Sequence, residues 1–242
     1  MLELNKIYNM DCLDGMKPLL NNSVDLILTD PPYQFGIGTM LNPVGGGFMK
    51  HQKKKYLLNI EKSFGFNYNP SLFLSEAKRV LKKFNLVIWT NKLLLKKYLT
   101  FAEENNFYYE LLIWSKPNPV PINNNHFLND KEFAVNIRER GAYFNSSLKY
   151  QNYFTIYKYA IGTKETIHPT EKPLFIFKNI IEILSKENDL VLDGYIGSGT
   201  TAVACKQLNR NFIGFEINKS YCDIANKRLE QSTLTDMFNK QE

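Results

Sequence analysis

The chain has 242 residues, with 30 Lys and Arg against 24 Asp and Glu, a formal net charge of +6. That length fills one well-packed α/β domain with inserted loops, and the positive balance suits a polyanionic partner. Cys12, Cys205 and Cys222 follow no paired pattern and His51, His126 and His168 are scattered, so neither a disulfide framework nor a zinc site is indicated; no apolar stretch reads as a membrane helix or signal peptide, which points to the cytoplasm.

The first element with a chemical signature is the apolar run Val24-Asp25-Leu26-Ile27-Leu28-Thr29, a short buried strand that ends in Asp30-Pro31-Pro32-Tyr33. Neither proline can continue a central ladder, so the chain turns out of the sheet at Asp30, on the carboxyl edge where open α/β sheets bind ligands. The tetrapeptide sets a carboxylate, a rigid main-chain carbonyl and an aromatic face together. Such a set suits a planar exocyclic amine, whose lone pair is conjugated into its ring. The Asp30 carboxylate and the Pro31 carbonyl each accept one N–H and draw the nitrogen toward tetrahedral geometry, with Pro32 holding that carbonyl still. Tyr33 stacks on a base taken out of a duplex. For the four residues alone, a proline turn with a structural Asp and a core Tyr is the plainer alternative.

Residues 34–69 hold Gly36, Gly38, Gly45, Gly46 and Gly47, then Lys50, Lys53, Lys54 and Lys55, with Glu61 the only acid. A loop this long inside a domain is functional or disordered. Directly after Tyr33, its lysines are placed to clamp phosphates and to order on DNA, against the plainer reading of a solvated charged loop. Asn69-Pro70 opens a helix in which Phe73, Ala77, Val80 and Leu81 share a face, and Leu86 to Thr90, Phe107 to Ser115 and Glu132 to Arg138 read as strands extending the Asp30 half. Residues 139–166 interleave cations with aromatics: Arg140, Tyr143, Lys149, Tyr150, Tyr153, Tyr157, Lys158 and Tyr159. The pattern serves nucleic-acid contact or packs a small hairpin. After the proline-punctuated segment His168 to Pro173, Leu174, Phe177, Ile180, Ile181 and Leu184 mark an amphipathic helix.

A second buried strand, Asp189-Leu190-Val191-Leu192-Asp193, runs into Gly194-Tyr195-Ile196-Gly197-Ser198-Gly199-Thr200-Thr201 and the helix-like Ala202 to Leu208. Strand, glycine turn and helix in this order cradle a nucleotide-like cofactor, because glycines allow close backbone approach and the helix start offers free N–H groups. Asn211 to Phe215 is the next strand, and Glu216 at its end is placed to accept ribose hydroxyls. The glycines also fit a dinucleotide fingerprint. A dinucleotide, however, needs two βαβ halves after the turn, and only the Glu216 strand, one helix around Tyr221 to Leu229 and a polar tail follow Thr201. The expected fold is a doubly wound, mostly parallel α/β sheet, Rossmann-like, in one domain over residues 1–242. Its order is permuted, with the cofactor half C-terminal, the Asp30 half N-terminal, and both loops opening on one edge.

These residues resemble the amino-group DNA methyltransferases that use S-adenosylmethionine, in the beta arrangement where the catalytic motif precedes the cofactor motif. Asp30 to Tyr33 is similar to the family's catalytic motif, and Asp193 to Thr201 to its D-P-F-x-G-S-G-T-T cofactor loop, with Gly194 and Tyr195 in place of Pro and Phe. The resemblance implies a cofactor site of Asp30, Asp193, Tyr195, Gly197, Ser198, Gly199, Thr200, Thr201 and Glu216. It puts Thr170 and Lys172 near the methionine carboxylate, and Asp11 and Cys12 beside the cofactor's adenine; alone, that pair reads as a turn residue next to a small buried thiol. Residues 139–166 become the target-recognition segment, with Arg140, Tyr143, Lys149 and Lys158 joining Lys50, Lys53, Lys54 and Lys55 on DNA.

Asp at the first catalytic position goes in this family more often with adenine N6, and Ser with cytosine N4. The resemblance therefore implies direct methyl transfer, without a covalent enzyme intermediate, to N6 of a flipped adenine in double-stranded DNA. It further implies a restriction–modification setting and no metal; whether the chain forms a homodimer is left open. The alternatives are cytosine N4, a planar amine or amide in RNA or a protein glutamine, and an inactive DNA-binding relative. Gly194 suggests the last of these, since replacing Pro there is expected to loosen the turn and lower cofactor affinity.

Overall fold

The described elements run in chain order β1 (Lys6–Tyr8), α1 (Cys12–Met16), β2 (Leu26–Thr29), α2 (Pro70–Val80), β3 (Asn85–Thr90), α3 (Lys92–Glu104), β4 (Tyr108–Ser115) and β5 (Lys131–Arg138). A 3-10 turn at Tyr150–Tyr153 then leads to β6 (Ile156–Lys158), α4 (Leu174–Leu184), β7 (Leu190–Asp193), α5 (Thr200–Gln207), β8 (Asn211–Phe215) and α6 (Lys219–Asn239). This computed structural model describes residues 2–32, 68–119, 127–160 and 172–239, with side chains through residue 231. The strands form one sheet in the order β1-β8-β7-β2-β3-β5-β4-β6.

The central strands β2 and β3 are buried at every residue and mostly apolar because helices cover both faces of the sheet. Leu26, Leu28, Val87 and Trp89 belong to one core with Phe177, Ile180, Ala204 and Ala225 of α4, α5 and α6. Their strand neighbours Ile27, Leu86 and Ile88 belong to the other, with Met16, Phe73 and Tyr98 of α1, α2 and α3. The side chains thus alternate with period two, and each fully buried Leu, Ile or Phe contributes about 1.5–3 kcal/mol.

The sheet has its switch point between β2 and β7, which pair in parallel. From β2 the chain proceeds to β3 on one side, and from β7 to β8 on the other. Crossovers that leave in opposite directions open a crevice at the strands' carboxyl ends, and Asp30 and Asp193 both stand there. The doubly wound, mostly parallel, permuted sheet is the one expected. Strand β5 is the exception in direction: it lies between β3 and β4, antiparallel to both.

Several elements were not legible in the sequence. Helix α3 is capped by the Asn91 side chain, which accepts from Leu93 and Leu94 N–H, and buries Leu94, Tyr98 and Ala102 at intervals of four. Strands β1 and β6 have three residues each, too short for a pattern. Val24 forms only an isolated bridge with Leu81, so β2 is shorter than the apolar run. The expected polar tail after Leu229 is helical, because α6 continues to Asn239. Among the described residues no helix is long and apolar enough to cross a membrane.

Candidate active site

Asp193 ends β7 beside Thr29, the last residue of β2. Its carboxylate accepts hydrogen bonds from the Thr29 hydroxyl (2.7 Å), the Tyr195 main-chain N–H (3.0 Å) and the Thr201 hydroxyl. Burial pushes its carboxyl up to about 6, against the pull of those three donors. The residue braces two strand ends and the start of α5 into one unit.

The turn after Asp193 needs its glycines. Gly197 and Gly199 have φ of 51° and 84°, in the left-handed region. A β-carbon at Gly199 would lie 3.0 Å from that of Ala225, so α6 packs directly on the loop. One turn further along α6, buried Arg228 donates to the Thr200 hydroxyl (2.9 Å) and the Ser198 carbonyl (3.4 Å). Sequence reasoning missed Arg228; its spacing of three from Ala225 was the available signal. Glu216 ends β8 and is buried, accepting the Gly197 N–H at Oε2 (3.0 Å) and the Asn218 N–H at Oε1 (2.8 Å). Burial raises its carboxyl pKa, opposed by those two backbone donors.

These groups line a cavity of about 220 Å³. Its apolar end is made by Met10, Leu13, Ile217 and Tyr195, whose ring meets Tyr68 edge-on at 5.5 Å and Phe73 at 6.0 Å. Asp11 and Cys12 also line it. Asp11 caps α1, accepting from Leu13 N–H (2.8 Å) and Asp14 N–H (3.3 Å), so its turn role and its place in the cavity coexist. Cys12 is 2% exposed, and burial pushes its thiol well above the ordinary range. Gly194 packs against this thiol. A β-carbon there would lie 2.5 Å from Cys12 Sγ, so the sulfur fills the space that a larger residue would need.

At the other end of the cavity stands Asp30, with the chain leaving the sheet through buried Pro31 and half-buried Pro32. Lys172, just before α4, is only 6% exposed and pairs with Asp30 Oδ2. Its ammonium lies 3.2 Å from Glu132 Oε2, and Glu132 Oε1 in turn pairs with Lys116. Burial opposes ionisation of Glu132, but Lys172 and Lys116 together outweigh it and hold its pKa below the ordinary value. Lys172, expected near a methionine carboxylate, is thus already engaged by two carboxylates of the protein. Glu132 and Lys116 were not singled out in the sequence. The signal was an acid opening one strand and a lysine closing another.

Asp30, Pro32, Asp193, Tyr195, Gly197, Ser198, Thr200, Thr201 and Glu216 line this cavity, as do Asp11, Cys12 and Lys172, whereas Pro31 and Gly199 are not part of its lining. Tyr33, Thr170, Lys50, Lys53, Lys54 and Lys55 lie outside the described residues, as do 161–166 of the 139–166 segment. The flanks of the basic loop, Pro32 on one side and Tyr68 and Asn69 on the other, both line the cavity.

The rest of that segment is split. Arg138 pairs with Asn85 and Phe133 with Thr90, so antiparallel β5 carries the chain about 17 Å away from the Asp30 edge before Arg140 and Tyr143. Tyr143 there lies under the Lys186 ammonium, 5.0 Å from its ring centre. Lys158 pairs with Ser115 at the end of β4 and returns to the Asp30 edge, with exposed Lys149 on the way between. Tyr153 and Tyr157 are packing residues: the Tyr153 hydroxyl donates to the Asn145 carbonyl (2.9 Å), and Tyr157 is buried, its hydroxyl accepting from the Asn179 amide (3.2 Å).

The family model described as DNA methylase (N6_N4_Mtase) matches residues 24–227. Type II methyltransferase M2.LlaDCHI of Lactococcus lactis subsp. cremoris is 32% identical over 241 residues, covering 90% of this chain and 86% of that one. Type II methyltransferase M.HinfI of Haemophilus influenzae is 32% identical over 252 residues, covering 94% and 69%. The crystal structure of the M1.HpyAVI-SAM complex aligns with a TM-score of 0.65 at 30% identity, over 93% of this chain and 99% of that one. The cytosine-N4-specific PvuII DNA methyltransferase aligns with a TM-score of 0.68 at 16% identity over 97% and 91%, a likeness of fold alone. With its two motif loops side by side at the switch point of such a sheet, the chain belongs to the N6/N4 family of DNA methylases.

Proposed function

We propose that the chain methylates N6 of adenine in double-stranded DNA, with S-adenosylmethionine as donor, in a restriction–modification setting. The observation that carries the reading is that Asp30 and the glycine turn share one cavity, so an amine and a donor are brought face to face. The residues suit the donor. Glu216 is a buried acceptor for ribose hydroxyls, Gly197 leaves bare backbone, and Tyr195 and Ile217 offer apolar surface to a purine. S-adenosylmethionine supplies a methyl group on a positively charged sulfonium. The remaining task is alignment and exclusion of water.

Asp30 and the Pro31 carbonyl accept the two N–H groups of the target amine, and negative Asp30 stabilises the positive charge that nitrogen acquires. Tyr33 stacks on the flipped base. Adenine is preferred over cytosine because Asp stands at position 30. Lys158 and the loop lysines Lys50, Lys53, Lys54 and Lys55 are assigned to phosphates. Lys158 lies four strands from β2, about 19 Å along the same edge, within the reach of a duplex centred on the flipped base. Arg140 and Tyr143, on the opposite edge, are not assigned a contact with the target base.

Incubation with tritiated donor and unmethylated genomic DNA, followed by digestion to nucleosides, tests this. Label is expected in N6-methyladenine and absent with folded Asp30→Ala. Label in N4-methylcytosine would overturn the choice of base, and turnover by Asp30→Ala near the unsubstituted rate would overturn the mechanism.

A further inference from the structure

Four charged groups alternate in sign along the transfer edge: Asp30 after β2, Lys172 before α4, Glu132 on β5 and Lys116 after β4. Both ammonium groups also lie over indole rings, Lys172 at 5.4 Å from Trp89 and Lys116 at 4.6 Å from Trp114, which restricts where they can move. A lysine held this way between two carboxylates divides its charge between them. Strengthening one contact weakens the other.

We propose that Glu132 is a positioning residue for methyl transfer: by holding part of the Lys172 ammonium, it sets how much negative charge Asp30 presents to the target amine. The inference rests on the assignment of Asp30 above. During transfer the amine's lone pair forms the N–C bond as the C–S bond breaks, and sulfur keeps that electron pair. Nitrogen then sheds one proton to water by way of Asp30. Cationic charge therefore builds next to Asp30, and a lysine fully engaged by Asp30 would oppose it. Glu132 takes up part of that lysine, while Lys116 keeps the four-group set neutral.

Among the described residues, Asp193 on β7 and the Tyr98 hydroxyl on α3 also face Asp30.

Single-turnover methyl transfer at saturating donor and DNA, measured against pH, tests the proposal together with calorimetric donor affinity. Glu132→Gln is expected to slow transfer by about ten-fold or more while leaving donor affinity within about two-fold. Its acidic limb moves to lower pH, because Lys172 then pairs with Asp30 alone and the excess positive charge favours ionised carboxylate. Lys116→Met moves that limb to higher pH, and Glu132→Asp, which keeps the charge, recovers most of the rate. Limbs that stay in place, or that move the same way in both variants, would overturn the proposal, as would a rate loss matched by lost donor affinity. Where Glu132→Gln fails to fold, the direction of the Lys116→Met shift decides. Asp30→Ala separates the two levels: activity in that variant refutes the assignment of Asp30, whereas an inactive Asp30→Ala with unmoved limbs refutes only the role of Glu132.

Discussion

Gly194 and Cys12 are expected to behave as one packing unit. An alanine β-carbon at 194 would sit 2.5 Å from Cys12 Sγ, about 1 Å inside the ~3.5 Å at which non-bonded atoms rest. Relief by movement of the sulfur is blocked, since Cys12 is 2% exposed and its thiol lies 3.7 Å from Met16 Sδ. Overpacking of this kind costs about 1–3 kcal/mol, or a fall of roughly 2–12 °C in Tm for a chain of this size. With the sulfur gone, the nearest neighbours of the new β-carbon are Phe73 Cε2 at 3.3 Å and the Cys12 β-carbon at 3.6 Å. Gly194→Ala in a Cys12→Ala background should therefore be near neutral, helped by about 0.4–1 kcal/mol from the stiffer unfolded chain. Urea denaturation of the two single variants and the double variant measures the coupling, expected at about 1–3 kcal/mol. Additivity within about 0.5 kcal/mol would refute the argument and show that the loop shifts freely.

Two further outcomes follow from buried carboxylates. Asp193 is raised by burial to about 6, above its unfolded value, so its contribution to stability is fully present below the unfolded pKa and is lost as pH rises through about 6. Asp193→Asn should remove a decline of about 3 kcal/mol between roughly pH 4 and 6.5, read as the difference in urea midpoints between the two proteins; parallel curves would refute it. Glu216→Ala should weaken donor binding by about 1–3 kcal/mol in calorimetry while DNA affinity holds, and an unaltered donor affinity would leave Glu216 as a brace for Gly197 and Asn218 alone.

The amino-acid sequence by itself determined the parts of the site whose signal is local. A short apolar strand cannot pass two prolines, so Asp30 had to stand at a strand end. The glycines clustered after Asp193 marked a turn, and the few elements after Thr201 left the remaining strands to come from the N-terminal half. These inferences needed only backbone sterics, residue order and the edge on which α/β sheets bind ligands. Tertiary structure alone decided which distant residues meet. Nothing in Lys131–Arg138 says that the strand runs against its neighbours, because an apolar strand has the same composition in either direction. Yet that direction brings Glu132 to Lys172 and Asp30 and carries Arg140 and Tyr143 to the opposite edge. The same holds for Cys12 against Gly194 and Arg228 against Thr200. In each case one partner lies at the far end of the chain or on another element, and sheet order and helix packing, to which every strand and helix contributes, set the contact.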